Sequence, residues 1–422
     1  MNIGIYAASS QSGRAYLADL TVQGHRVYGY CRSSNHGKLF LEALEEQKGI
    51  YLRRPSENKN HESANMYIPL ERNQFGSSLE DLITHSELII LAEPSIYFLE
   101  SVKQLKEAGL CEKRIPLLLS PSRTFTVPEI WSVLGENYPI ICFSTCPYSC
   151  KAPEVGVSYI KRRKRSWIGS YEGTIEEVFL NKLQIVFPQC IWTDIPAITS
   201  LGNIGSVFHP GTYLLNLEAI QTAKKEGREY SFYMNGIAER TDVGEVLQAV
   251  DNIRLEIAKK IGIKTLAPGN EEDEAEWKKM TDRLHSDEEK VQGNITELRH
   301  VRRDDMYGIA DVVVGAQFWL DYTYGVSWIK GETLSDTIAR TPTYQKMSVP
   351  QERYIEEDVP TGLIPLYEIG KRLNVDVNVI EKLIEQYCKV KNVCYSDINY
   401  FRKYSTKYIV EYLTNGHGGR DF

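Results

Sequence analysis

The opening residues alternate short apolar runs with stretches of helical spacing, and this constrains the fold more than any other feature of the chain. Residues 2–7 read as a strand, 13–23 as a helix, 26–31 as a second strand and 86–92 as a third that ends before Pro94. Residues 97–108 then read as a helix, with further strands at 115–119 and 140–144. Apolar runs too short to span a domain, each followed by a helix, predict a parallel sheet covered on both faces. The expected class is α/β: an N-terminal Rossmann-like, doubly wound sheet of the dinucleotide-binding kind.

The texture changes near residue 192. Stretches at 214–225, 243–261, 363–373 and 379–390 carry apolar residues at helical spacing. A chain of 422 residues exceeds one ordinary core. We therefore expect a dinucleotide-binding domain over 1–190 and an all-helical substrate and catalytic domain over 191–422. The segment near 264–322 reads as an insertion, with 269–290 rich in Glu, Asp and Lys and so solvated. Residues 157–167 alternate and then turn basic, which suggests a solvated hairpin or edge strand whose charges block unwanted pairing. Residues 416–422 read as a frayed tail.

The formal net charge is -7. It favours solubility and leaves no basic footprint, so no nucleic-acid partner is expected. No apolar stretch approaches the ~20 residues a spanning helix needs, and the first strand starts at once. No membrane association and a cytoplasmic location are the expectations. The eight cysteines include Cys142, Cys146 and Cys150 at i, i+4 spacing but no CxxC pair. Free thiols are expected, and no metal.

The loop after the first strand is where a phosphate-binding glycine pattern would fall. Here it reads Ala8-Ser9-Ser10-Gln11-Ser12-Gly13, with only the third glycine kept. Small residues still allow a tight turn, close approach of backbone to pyrophosphate, and a helix N-terminus aimed at negative charge. Ser9, Ser10, Gln11, Ser12 and Gly13 are thus the candidate phosphate-binding residues. After the second strand come Arg32, Ser33 and Ser34, with Lys38 close behind and no acidic residue at the strand end. A carboxylate there would hold a ribose 2′-hydroxyl, whereas Arg and Lys would pair with a 2′-phosphate. NADPH is the expected cofactor, with NADH possible.

Two distant segments carry the chemistry. The first is Asn203-Ile204-Gly205-Ser206-Val207-Phe208-His209-Pro210, and the second runs from Arg353 through Asp358-Val359-Pro360-Thr361-Gly362-Leu363 to Pro365. With Pro147, Tyr148, Cys150 and Lys151, with residues 232–241 (FYMNGIAERT) and with 331–334 (GETL), they resemble the octopine/nopaline-type opine dehydrogenases. The resemblance covers most of the chain outside roughly 264–322. The total length, the Arg32/Lys38 pair and residues 39–52 also resemble the branch that makes opine metallophores (staphylopine-type). That branch tends to carry an aspartate after its Ser-Thr segment, where this chain has Cys146 after Ser144-Thr145. The second half follows the octopine-type pattern better.

The resemblance implies reductive condensation of an amino acid, or a nicotianamine-like amine, with a 2-oxo acid such as pyruvate or 2-oxoglutarate, in a homodimer. It implies His209 as acid/base, suited because imidazole titrates near neutrality. Asp358 would fix its tautomer and stabilise the imidazolium. Arg353 would clamp a substrate carboxylate or tie the Asp358 network together. Asn203 and Tyr148 would bind substrate. Two other readings stand beside this one. A 3-hydroxyacid or glycerol-phosphate-type dehydrogenase would need a catalytic lysine, which the residues beside His209 do not supply. A non-catalytic Rossmann-fold binding protein would suit the degenerate glycine loop.

Overall fold

The computed structural model describes residues 1–54, 64–164, 167–266, 308–341 and 352–416. The main sheet of the first half is built from β1 (Asn2–Tyr6), β2 (Arg26–Tyr30), β5 (Phe75–Gly76), β6 (Leu88–Leu91), β7 (Leu117–Leu119), β8 (Ile140–Phe143), β11 (Trp167–Glu172) and β12 (Cys190–Thr193). These eight strands lie in the order β12-β11-β8-β7-β6-β1-β2-β5. All neighbours pair in parallel except β11 with β8. The strands β6, β7 and β8 are buried along their whole length. Such strands need apolar side chains on both faces, and their sequences are continuous apolar runs.

The sheet separates two cores. On one face Ile3, Ile5, Leu17, Phe40 and Phe143 pack together. On the other, Tyr6, Leu91, Phe98, Leu117 and Trp131 join a single core that continues through Ile198, Val207, Leu247, Ile355 and Leu363 in the second half. The chain end returns to this core. The helix Thr406–Asn415 carries Tyr412, whose ring meets Phe125 edge-on at 5.0 Å and whose hydroxyl donates to Glu172 at 2.7 Å.

The sequence pattern does not predict the second sheet, which joins β3 (Gly49–Arg54), β4 (Ala64–Pro69), β9 (Tyr148–Lys151) and β10 (Val157–Arg163). Its order is β4-β3-β10-β9. β10 pairs in parallel with β3 through Val157–Tyr159 only, while the basic residues Lys161–Arg163 lie on the antiparallel β9–β10 hairpin with Lys161 and Arg162 exposed, as a solvated hairpin would place them. Its charge has a structural use: Arg163 pairs with the buried Asp19 of helix α1 (Gln11–Val22).

The second half is helical, with one addition. Lys264–Leu266 and Gly308–Ala310 form a short two-stranded parallel pair at the mouth of the expected insertion. The acidic stretch 269–290 and the tail 417–422 lie outside the described residues. All eight cysteines are free thiols. No helix among the described residues is long and apolar enough to cross a membrane.

Candidate active site

His209 and Asp358, 149 residues apart in sequence, meet. Nδ1 of the histidine lies 2.7 Å from Oδ2 of the aspartate. With Asp358 ionised, Nδ1 carries the proton and donates. Nε2 has no hydrogen-bond partner among the described residues. Asp358 is buried, its side chain 2% exposed, while the histidine side chain is 30% exposed. One atom of the pair therefore reaches open space while its carboxylate stays dry.

Local sequence explains how two helices come this close. His209 sits mid-way along the helix Ile204–Leu215, and Asp358 ends the helix Arg353–Asp358. A Cβ at Gly205 would lie 2.6 Å from Oδ1 of Asp358, and one at Gly362 would overlap Ser206. Only glycine at these positions lets the segments touch. Past Asp358 the chain widens into a π turn over Val359–Leu363, containing Pro360, before the helix Ile364–Arg372. Such bulges recur at functional sites because they re-aim the residues that flank them. Tyr354 stacks on the histidine ring (centroids 4.2 Å apart, 15° between planes), and Phe232 meets it edge-on at 5.9 Å. These two aromatics fix the plane of the imidazole.

Asp358 is also tied to the first half. Arg123, on the loop after β7, places Nη1 3.5 Å from Oδ1 of Asp358 and donates from Nη1 to Oδ1 of Asn203 at 3.1 Å. It pairs through Nη2 with Glu357 at 2.9 Å. Glu357 further accepts from the backbone N–H of Ser95 at 3.0 Å and its hydroxyl at 2.9 Å. Burial alone would push the Glu357 carboxyl up, but the Arg123 charge and the Ser95 donors outweigh it and hold the group below its ordinary value. The carboxylates of Glu357 and Asp358 raise the Arg123 guanidinium despite its burial.

Two expected roles change, and one of the two alternatives for a third falls away. Tyr148 is buried in β9, with its hydroxyl donating to Asp19 at 2.8 Å and its ring edge-on to Tyr16 at 5.0 Å. It braces α1 and is not placed to meet substrate. Asn203 is buried, accepts from Arg123, and is a link between the halves. Arg353 is exposed, so the tie to Asp358 is made by Arg123 and the Arg353 guanidinium is left facing solvent. Sequence reasoning misses Arg123, Glu357, Tyr354 and Phe232. For Arg123 one signal exists: ligands of open α/β sheets gather at the carboxyl ends of the strands, and Arg123 follows such an end.

At the first turn, Gly13 lets α1 approach β1, since a Cβ there would overlap the carbonyl oxygen of Ala7. Ala7 itself takes a positive φ of 64°. Ser10 caps α1 by accepting from the Gly13 N–H at 2.9 Å and donates to the Ala92 carbonyl at 2.5 Å. The Ser12 hydroxyl donates to the same carbonyl at 3.1 Å. The Ser9 carbonyl accepts from Arg14 Nε at 3.0 Å and lies 2.9 Å from His36 Nε2. Gln11 is exposed at the helix start. The turn is therefore tight and ends on a helix N-terminus, with serine hydroxyls bracing it where glycines usually fall, which suits the approach of a phosphate. At the end of β2, Arg32 ion-pairs with the buried Glu93 and lies over the rings of Tyr6 and Tyr97. Ser33 and Lys38 are exposed, while Ser34 caps the next helix, Asn35–Gln47.

A largely parallel eight-stranded sheet is thus joined to a helical half that presents a histidine–carboxylate pair. Residues 196–391 match the family model described as NAD/NADP octopine/nopaline dehydrogenase, alpha-helical domain. An opine dehydrogenase of Arthrobacter sp. (strain 1C) is 20% identical over 381 residues, covering 88% of this chain and 86% of that protein. Among solved structures, an octopine dehydrogenase with NADH and L-arginine aligns at TM-score 0.64 and 15% identity, covering 92% of this chain and 89% of the other. A yersinopine dehydrogenase without ligand aligns at TM-score 0.62 and 13% identity, over 98% and 97% of the two chains. The helical half thus matches the octopine/nopaline dehydrogenase family, and the chain as a whole is similar to opine dehydrogenases along most of its length.

Proposed function

We propose that this protein is an NAD(P)H-dependent opine dehydrogenase that joins the amino group of an amino acid to the keto carbon of a 2-oxo acid. The observation that carries the proposal is the 2.7 Å contact between His209 Nδ1 and Asp358 Oδ2, which leaves Nε2 as the one ring atom able to exchange a proton with substrate. Condensation of amine and keto acid releases the carbonyl oxygen as water, and that step needs a proton donor at near-neutral pH. His209 donates through Nε2, and Asp358 stabilises the charge on the ring and holds its tautomer. The exposed Arg353 guanidinium is available for a substrate carboxylate, for which its planar fork is suited. When bound, NAD(P)H supplies the hydride that reduces the imine to a secondary amine. Amine, 2-oxo acid, NAD(P)H and one proton thus give opine, NAD(P)+ and water.

The backbone of Ser9 to Gly13 and the N-terminus of α1 would hold the pyrophosphate. Arg32 and Lys38 favour NADPH by pairing with a 2′-phosphate. A yersinopine dehydrogenase has been solved with NADP+, and an octopine dehydrogenase with NADH, so both cofactors occur among structural relatives. We further take the protein to be a cytoplasmic homodimer with its nucleotide domain over 1–190 and its helical domain over 191–422.

The test is consumption of NADPH and of NADH by the purified chain against a panel of amino acids, including a nicotianamine-like amine, each with pyruvate and with 2-oxoglutarate. Turnover that requires both amine and oxo acid, with higher kcat/KM for NADPH, is expected. Turnover with a 2-oxo acid alone would replace the proposal by simple hydroxyacid chemistry, and a clear NADH preference would remove the role given to Arg32 and Lys38.

A further inference from the structure

We propose that Arg123 is a positioning residue that leaves His209 facing one net negative charge. The inference rests on the reading of His209 as the acid/base. Glu357 and Asp358 are neighbours in sequence and both buried. Two adjacent carboxylates away from water repel each other and would together bias a nearby imidazole toward its charged form. Arg123 contacts both, at 2.9 Å and 3.5 Å, and so cancels one of the two charges. It comes from the other half of the molecule, and its neighbour Thr124 donates through its backbone N–H to the Thr361 carbonyl at 3.1 Å. The same guanidinium therefore sets the charge at the histidine and docks the two halves.

Among the described residues, the groups that face the ring are few. Asp358 and Tyr354 face it from one helix, and Phe232 from the segment before the π turn Met234–Ala238. The long helix Thr241–Lys260 presents apolar Leu247 and Val246 toward Gly211. Gln386, from the helix Asn378–Lys391, donates to the Leu214 carbonyl. The ion pairs of Lys391 with Glu352 and Glu356 lie beside Tyr213 and act on its hydroxyl. Arg123 and Glu357 reach His209 through Asp358, so among the described residues these three set the charge balance at the ring.

The experiment is a set of charge variants read two ways: the pH profile of kcat/KM for opine oxidation, where His209 acts as base, and the NMR titration of the His209 ring, assigned by its loss in His209→Ala. Arg123→Met should move the acidic limb and the ring titration upward together, by about one pH unit or more. Arg123→Lys should restore most of the shift. Arg123→Met/Glu357→Gln removes one charge of each sign, and the introduced amide oxygen can still accept from Ser95, so both readouts should return close to wild type. If Arg123→Met does not fold, Glu357→Gln alone keeps the proposal testable, because it leaves Arg123 in excess and should move both readouts downward. An unmoved titration in the single variants, or a double variant that stays shifted, overturns the proposal. If the ring titration moves while the rate profile does not, the charge coupling stands and His209 is not the acid/base.

Discussion

Two buried aspartates in this molecule have similar surroundings and different uses. Asp19 and Asp358 have side chains 3% and 2% exposed, and each is met by an aromatic-type donor and an arginine. Asp19 accepts from the Tyr148 hydroxyl at 2.8 Å and Gln23 Nε2 at 2.9 Å and pairs with Arg163 and Arg54. The result ties α1 to the small sheet. Asp358 accepts from a histidine that keeps a second nitrogen unspent and is 30% exposed. A buried carboxylate becomes chemistry when its partner is an imidazole with a second nitrogen left to exchange a proton, and remains architecture when its partners are permanently charged guanidiniums and a buried hydroxyl.

The largest expected effect lies on the side with the spare atom. His209→Ala should lower kcat by about 10²–10⁴-fold, the usual contribution of a positioned acid/base, while cofactor affinity measured by fluorescence titration stays near wild type. Wild-type turnover would put both aspartates in the same structural class.

A third buried carboxylate sharpens the contrast through stability. Glu172 is 2% exposed and has hydroxyl donors, Tyr412 at 2.7 Å and Ser170 at 3.1 Å, but no ion pair among the described residues. Burial therefore dominates and raises its carboxyl to about 7. The native state binds a proton here that the unfolded chain releases near its ordinary value of 4.5. Stability from this group is thus fully present below that pH and lost as pH rises toward and through 7. Glu172→Gln should flatten this dependence and stabilise the protein at about pH 8 by about 2 kcal/mol, seen as a raised Tm. A variant that keeps the wild-type slope of Tm between about pH 5 and 8 would mean that Glu172 is not the group responsible.

The smallest effect belongs to the architectural aspartate. Tyr148→Phe removes one buried hydrogen bond to Asp19 and should cost about 1–2 kcal/mol in denaturant unfolding, with kcat and KM for the amine unchanged. A raised KM with unaltered stability would return Tyr148 to the substrate site.

The legible parts of this molecule are those written in local pattern. The strands β1, β2, β6, β7 and β8 announce themselves because burial on both faces demands continuous apolar runs, and the helices after Thr241 because one face of each is apolar. The His209–Asp358 pair is legible only through the family resemblance, since nothing in either segment points to the other. Partners that meet across the halves stay silent: Arg123 lies 80 residues from Asn203 and 234 from Glu357. Tyr148 misleads for the same reason, as its hydroxyl reports on Asp19, 129 residues away. The basic strand β10 gives no sign of its second neighbour because β3 lies about a hundred residues earlier, whereas its hairpin partner β9 is local.

The pairing itself is tested most directly by the pH dependence of kcat/KM in Asp358→Asn. An amide cannot stabilise the imidazolium, and its N–H can reverse the tautomer that the carboxylate holds. Turnover should fall by about 100-fold or more, with the acidic limb for opine oxidation displaced to lower pH, opposite to the displacement expected for Arg123→Met. Wild-type turnover on an unmoved profile would contradict the assignment of this pair as the enzyme's acid–base element.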